Sequence, residues 1–383
     1  MLEEQKQMNE RIQDILNQSF VGLLLKDEKV TDISFNGTTL WIQHNEKGRF
    51  KAEKQPTLSE VRQLAKQIAD IQKKEITNTE PVLDTEIGFL RMNVMHDVIS
   101  PDGMTFAIRV SRPRLAIRSI ADITVGEREE VEELLNVLVQ AGSNIVISGR
   151  TGAGKTELQK LLVGFIPNEQ KISLLEDTRD SHIKRLYPEK DINSWQTIPG
   201  LFSMSDGVKA ALRNNPDWVL VSETRGEEAA DMLDSVKTDH SIITTLHAKG
   251  AMNIPARLIP MIRQSPAYAR TDEQLLGREI TGLIRFGVHL HLQEEDGRMI
   301  RRIKEIVEFT DFTPQGAKGS YLYRASNSLN EQGAYEVKET FGRLSKQTLD
   351  DLKDKKLYHL VPDVFKEEYV DFGLPKREVL ANE

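Results

Sequence analysis

Gly149-Arg150-Thr151-Gly152-Ala153-Gly154-Lys155-Thr156 decides the reading of this chain. It fits G-x-x-x-x-G-K-[ST], a loop that cradles phosphates. Just before it, Asn144-Ile145-Val146-Ile147-Ser148 is an apolar, β-branched run that predicts a buried strand. Just after it, Leu158, Leu161, Leu162 and Phe165 recur at helical spacing until Pro167. Strand, glycine loop and helix in that order is the context the motif requires. The glycines let the backbone curl with its N–H groups inward, and the helix start adds free N–H groups and a positive dipole end. Lys155 is then expected to reach the β- and γ-phosphates, and the Thr156 hydroxyl to ligate Mg²⁺.

On the C-terminal side, helix and strand alternate. Strands are expected at 144–148, 171–176, 218–222 and 241–246, which implies a mostly parallel sheet covered on both faces. The C-terminal ends of such strands form the ligand crevice. Here the strand over Lys171–Leu175 ends on Glu176-Asp177, the strand over Trp218–Ser222 on Glu223, and the strand over Ile242–Leu246 on His247. A carboxylate in that place can activate a water, a second can hold a Mg²⁺ shell, and a histidine can sense a γ-phosphate. An acidic pair alone is more often a cap, and a lone histidine more often structural. Their coincidence with Lys155 at one crevice changes that weighing. Further on, Phe286–Gln293 and Arg298–Phe309 flank Glu295-Asp296-Gly297, a hairpin signal. Residues 311–383 are polar, with weak strand patterns near 321–325 and 334–341 and a helix over Ser345–Lys355.

On the N-terminal side, residues 1–25 read as one amphipathic helix carrying Ile12, Ile15, Leu16 and Phe20. Ile33, Phe35, Asn36-Gly37, Leu40 and Ile42 read as a hairpin. Thr57 and Glu60 form a capping box before a helix, and strands follow at 89–99 and 104–110 around Pro101-Asp102-Gly103. Residues 1–110 are therefore expected to be a small α+β domain, 111–126 a linker, 127–310 the phosphate-binding domain and 311–383 a C-terminal appendage. The arginines at 112, 114 and 118 suit either a solvated linker or a phosphate contact.

The 383 residues exceed one compact core, and 29% charged with 39% apolar residues excludes a disordered chain. No run approaches the roughly 18 apolar residues of a membrane span, and the acidic start Met1–Lys6 is unlike a secretory signal. Zero cysteines exclude disulfides and thiolate metal sites, and suit a cytoplasmic enzyme. A net charge of -8 speaks against a chain that coats nucleic acid, so no stable nucleic-acid binding is expected.

With these motifs in place the chain resembles the traffic ATPases of type II and type IV secretion systems and type IV pili. The resemblance rests on Gly149–Thr156, on Leu174-Leu175-Glu176-Asp177-Thr178, on Arg213–Ala229 with its core Ser222-Glu223-Thr224-Arg225-Gly226-Glu227-Glu228, and on Thr244-Thr245-Leu246-His247-Ala248. Val30-Thr31-Asp32-Ile33 and Asn36-Gly37 extend it into the N-terminal part. The Arg-Gly-Glu-Glu-Ala form is closest to the Tad-pilus and conjugation branch, and without cysteine the chain lacks the tetracysteine zinc module of some members.

The resemblance implies an α/β fold: a RecA-like P-loop NTPase domain with a mostly parallel sheet, preceded by a smaller α+β domain. It implies an ATP hydrolase with ATP and Mg²⁺, forming a homohexamer at the cytoplasmic face of a membrane-embedded secretion or pilus platform. Carried over, it makes Glu176 the water-activating carboxylate, Glu223 the Walker B acid that holds Mg²⁺ with Thr156, directly or through water, and His247 the His-box residue. Arg91 and Arg109 become nucleotide-contacting arginines of the N-terminal domain. Arg213 and Arg225 become arginines that serve a neighbouring subunit's site or brace the domain. A DNA-translocating ring motor and a non-hydrolysing nucleotide-binding scaffold are the competing readings.

Overall fold

The computed structural model describes residues 2–295, 297–329, 335–366 and 378–380. It divides into two compact units, Met1–Pro113 with Gln293–Ile300, and Arg114–Leu292 with Arg301–Glu383.

The first unit runs α1 (Leu2–Gln18), α2 (Gly22–Lys26), β1 (Val30–Phe35), β2 (Leu40–His44), β3 (Gly48–Lys51), α3 (Leu58–Ile71), β4 (Val82–Ile87), β5 (Leu90–Met95) and β6 (Thr105–Val110). Its antiparallel sheet has the order β3-β2-β1-β6-β5-β4. Alternate residues, among them Ile33, Phe35, Met92, Val94, Phe106 and Ile108, share one core with Ile12 and Leu16 of α1 and Val61, Leu64 and Ile68 of α3. The Thr57–Glu60 capping box starts α3. The single helix expected over residues 1–25 is instead two. The Ser19 hydroxyl donates to the Leu16 carbonyl (2.8 Å) and accepts from the Val21 amide (3.3 Å), so a side chain competes with the helix ladder. The chain then passes so close to Asn17 that a Cβ on Gly22 would lie 2.2 Å from its carbonyl oxygen.

The second unit opens with α4 (Glu129–Gln140), β7 (Ile145–Gly149), α5 (Lys155–Phe165), β8 (Ile172–Glu176), α6 (Ile183–Leu186) and β9 (Ile192–Gln196). It continues with α7 (Met204–Leu212), β10 (Trp218–Val221), α8 (Glu228–Lys237), β11 (Ser241–Leu246), α9 (Ile254–Ile262) and α10 (Glu273–Leu283). Then come β12 (Phe286–Glu295), β13 (Arg298–Thr313), β14 (Gly316–Leu329), β15 (Tyr335–Gly342), α11 (Lys346–Asp354) and β16 (Glu378–Leu380). Asp296, in the expected hairpin turn, and residue 334 lie outside the described residues.

All ten strands β7 to β16 form one sheet, in the order β16-β15-β14-β13-β12-β7-β11-β10-β8-β9. From β12 to β9 neighbours pair parallel, while β13, β14 and β15 pair antiparallel. The polar segment beyond residue 311 thus supplies strands to the sheet that carries the glycine loop. Buried Glu308 of β13 also accepts from the Ser345 amide (2.7 Å) and hydroxyl (2.5 Å) at the start of α11.

The stretch between the units is anchored at both ends. Arg112 donates to the carbonyls of Leu25 (2.8 Å), Asp27 (3.0 Å), Val30 (3.0 Å) and Glu28 (3.1 Å), closing the end of α2. Ala116 N–H donates to Glu157 at the start of α5 (3.0 Å), Ile120 N–H to Glu132 (2.7 Å) and Val125 N–H to Tyr323 (3.3 Å). Between these anchors lie residues 113–115.

Candidate active site

Parallel pairing sets the strand ends level. Ser148 of β7 faces Leu246 of β11, Thr244 of β11 faces Val221 of β10, and Val221 faces Leu175 of β8. β7 and β8 end on Gly149 and Glu176, and the loops leaving β11 and β10 carry His247 and Glu223. The glycine loop turns through Gly152 (φ +79°) and Gly154 (φ +96°), conformations that a side chain would strain. α5 then starts at Lys155, with Thr156 half-buried in its first turn.

Lys155 Nζ donates to the carbonyls of Gly149 (3.0 Å) and Arg150 (3.4 Å) and lies 3.5 Å from His247 Nδ1. His247 Nδ1 is 2.9 Å from the Gly149 carbonyl, and its Nε2 is 2.9 Å from Glu223 Oε1. The other Glu223 oxygen accepts from Arg225 (2.5 Å), whose second terminal nitrogen is 3.6 Å from Asp177. Burial pushes the Lys155 ammonium down; Glu223 opposes that shift and Arg225 adds to it. Burial alone would raise the Glu223 carboxyl, but the Arg225 hydrogen bond and the charges of Arg225, His247 and Lys155 hold it below the usual carboxylate range.

Glu176 stands apart from this network. It is 2% exposed, and Oε1 accepts from the Ser181 amide (3.0 Å). Burial pushes its carboxyl up against the pull of the Ser181 hydrogen bonds. The structure thus brings together Lys155, His247, Glu223, Arg225 and Asp177, and places Glu176 at the neighbouring strand end. Arg225 braces Glu223 and Asp177 of its own chain. Arg213 is exposed at the end of α7, ahead of β10 and so at the opposite end of that strand from Glu223. In the first unit, Arg91 and Arg109 face each other across β5 and β6 on the exposed side, and Arg109 Nε is 3.2 Å from Asp32.

Several supporting residues escape sequence reasoning. Gln159 of α5, fully buried, donates to the carbonyls of Val221 and Ile243 (both 3.1 Å), tying the helix after the glycine loop to β10 and β11. Its one signal is a polar residue beside the apolar face marked by Leu158, Leu161 and Leu162. Glu228 accepts from the amides of Arg225 (2.5 Å) and Gly226 (2.8 Å), and Thr224 N–H donates to the Thr245 carbonyl (2.8 Å). These bonds hold the loop that presents Glu223. Glu305 of β13 accepts from Ala251 N–H (2.8 Å) and steadies the loop after His247. Arg301 of β13 donates from Nε to the Gly152 carbonyl (2.9 Å). Nothing in a strand pattern announces Glu305 or Arg301.

Chemically, the arrangement is a glycine loop and helix start for an anion, with a lysine at its mouth and an ionised carboxylate opposite. The Thr156 hydroxyl and the Glu223 oxygens are hard donors of the kind Mg²⁺ takes when phosphates supply the remaining ligands.

A family model described as "Type II/IV secretion system protein" matches residues 29–284. An uncharacterized protein of Bacillus anthracis is 29% identical over 362 residues, covering 92% of this chain and 79% of the relative. The type IV secretion system protein PtlH of Bordetella pertussis is 35% identical over 143 residues, 35% of this chain and 41% of PtlH. A putative conjugal transfer protein of Mycobacterium tuberculosis is 24% identical over 296 residues, 74% of this chain and 82% of that protein. Among solved structures, the Legionella pneumophila ATPase DotB superposes with a TM-score of 0.57 at 20% identity, covering 75% of this chain and 79% of DotB. The pilus retraction motor PilT with bound ADP gives a TM-score of 0.53 at 15% identity, covering 78% of this chain and 84% of PilT. These two share the fold: an antiparallel N-terminal unit followed by an α/β unit with a mostly parallel sheet.

Proposed function

The chain belongs to the type II/IV secretion ATPase family, whose members hydrolyse ATP, and on that premise we propose how its residues divide the work. The observation that carries the reading is the run Lys155–His247–Glu223, linked within 3.5 Å at the mouth of the glycine loop although its members come from three separate parts of the chain. Lys155, held in the meantime by two loop carbonyls, exchanges them for the β- and γ-phosphates. Glu223 and Thr156 are the residues that would hold Mg²⁺, which supplies neutralisation of the phosphate charge. His247 joins the lysine to the carboxylate and so senses whether the γ-phosphate is there. Glu176, with its carboxyl raised by burial and its orientation fixed by Ser181, takes the proton of the attacking water. Arg225 braces Glu223 and Asp177 in cis, and Arg213 is the arginine that remains for a neighbouring subunit.

On this reading Arg91 and Arg109 contact the nucleotide from the first unit, and loss of the γ-phosphate releases that hold. The swing turns about residues 113–115, between the anchors at Arg112 and Ala116, and about the second pair of crossings at either end of Gln293–Ile300. The Arg225-Gly226-Glu227-Glu228-Ala229 form favours the Tad-pilus and conjugation branch over the twitching-motility branch. We take it to work as a homohexamer at the cytoplasmic face of a membrane, on a type IV secretion, conjugation or pilus platform. No described helix is long and apolar enough to cross a membrane.

A phosphate-release assay tests the assignment. Lys155→Ala is expected to lower MgATP turnover by at least about 10²-fold, the scale of losing a group that stabilises developing phosphoryl charge. Turnover near that of the unaltered protein would refute it.

A further inference from the structure

β13 crosses from one compact unit to the other. Its start, up to Ile300, belongs to the first unit, where Met299 N–H donates to the Glu46 carbonyl (2.7 Å). The next residue, Arg301, belongs to the second unit and lies on the glycine loop. Its Nε donates to the Gly152 carbonyl at 2.9 Å. Its Cδ would sit 3.6 Å from a Cβ placed on Gly154, where Ile117 Cδ1 would sit at 3.8 Å, so its stem covers the outer side of the loop.

We infer that Arg301 is a positioning residue for the nucleotide: it holds the glycine loop in its anion-receiving form and raises affinity for the polyphosphate. The inference rests on the loop taking a nucleotide, as proposed above. The peptide plane between Gly152 and Ala153 is held from both sides, since Ala153 N–H donates to the Arg150 carbonyl (3.2 Å) while Gly152 C=O accepts from Arg301. A planar trans peptide fixed at both its polar groups cannot flip, so the following turn into α5 keeps its amides aimed into the loop. Arg301 also brings charge. Burial pushes its guanidinium down, with Glu157 opposing, yet an arginine stays protonated in proteins. Lying against the loop at the Gly152 carbonyl, this cation also attracts a polyphosphate bound there.

The test is titration of full-length protein with MgADP carrying an N-methylanthraniloyl fluorophore, alongside melting temperature without nucleotide and steady-state KM and kcat for MgATP. Arg301→Met is expected to weaken binding and raise KM about tenfold, the worth of one charge-assisted hydrogen bond. The nucleotide-free melting temperature should be unchanged or higher, and kcat should move much less than KM. Arg301→Lys, which keeps charge and stem, should recover part of the affinity, and it carries the test by itself if the methionine variant does not fold. Unaltered affinity in Arg301→Lys and, where it folds, in Arg301→Met overturns the inference, as does a fall in melting temperature with affinity unchanged. If the unaltered protein fails to bind the probe, the nucleotide reading itself has failed. If it binds and Lys155→Ala does not, a null result at Arg301 concerns Arg301 alone.

Discussion

At the scale of single residues, the two carboxylates of the site are tuned in opposite directions. Glu223 is kept ionised by Arg225, His247 and Lys155, whereas Glu176 is buried and its carboxyl raised. Between the unfolded value of Glu176 and its higher folded value, the native state binds more protons than the unfolded state. Stability therefore falls as pH rises through that window, and the whole penalty persists above it. Glu176→Gln removes the titration. Thermal melts of both proteins from pH 4 to 8 should show the variant gaining relative stability as pH rises, and a constant difference would contradict the placement of this carboxyl. The meeting of Lys155, Glu223 and His247 was legible because Glu223 and His247 follow the ends of adjacent parallel strands and Lys155 opens the helix after the glycine loop. Gln159, Glu305 and Arg301 were not, because a glutamine on a helix and charged residues on a strand face water by default, and only the fold turns them inward.

Single elements show the same divide. The strand–loop–helix around Gly149 and the capping box of α3 are local patterns, and both form as local chemistry dictates. The split between α1 and α2 is equally local, but it depends on a serine turning onto its own backbone, which periodicity does not register. Least legible was the part beyond residue 311: β13, β14 and β15 pair as successive antiparallel neighbours, but β14 has few buried positions, so the apolar alternation that marks a strand is weak. One buried cluster ties that region to the entrance of the second unit. Glu339 of β15, 5% exposed, accepts from Arg128 Nε (2.7 Å) and from the Tyr323 hydroxyl (2.8 Å), which in turn accepts from Val125 N–H. Glu339→Ala leaves the half-buried Arg128 guanidinium and the buried Tyr323 hydroxyl without their acceptor, a change that typically costs about 1–3 kcal/mol. Denaturant titration should show a loss of that order. A loss under roughly 1 kcal/mol, the surface-pair value, would mean that the cluster does not hold β15 to the 125–128 segment.

At the scale of the whole molecule, two covalent routes join the second unit, with its proposed nucleotide site, to the first: residues 113–115 and the segment Gln293–Ile300. Both routes meet the site region directly: the first through Ala116 on Glu157, the second through Arg301 on Gly152. The central claim is that Lys155, Glu223, His247 and Glu176 act on one MgATP, with Glu176 reserved for the water. The most direct measurement is the nucleotide that full-length Glu176→Gln retains after incubation with radiolabelled MgATP and rapid gel filtration. The account predicts that it holds intact ATP and turns over about 10²–10⁴-fold more slowly than the unaltered protein, the contribution of a positioned general base. Recovery of ADP, formed at an undiminished rate, would contradict it.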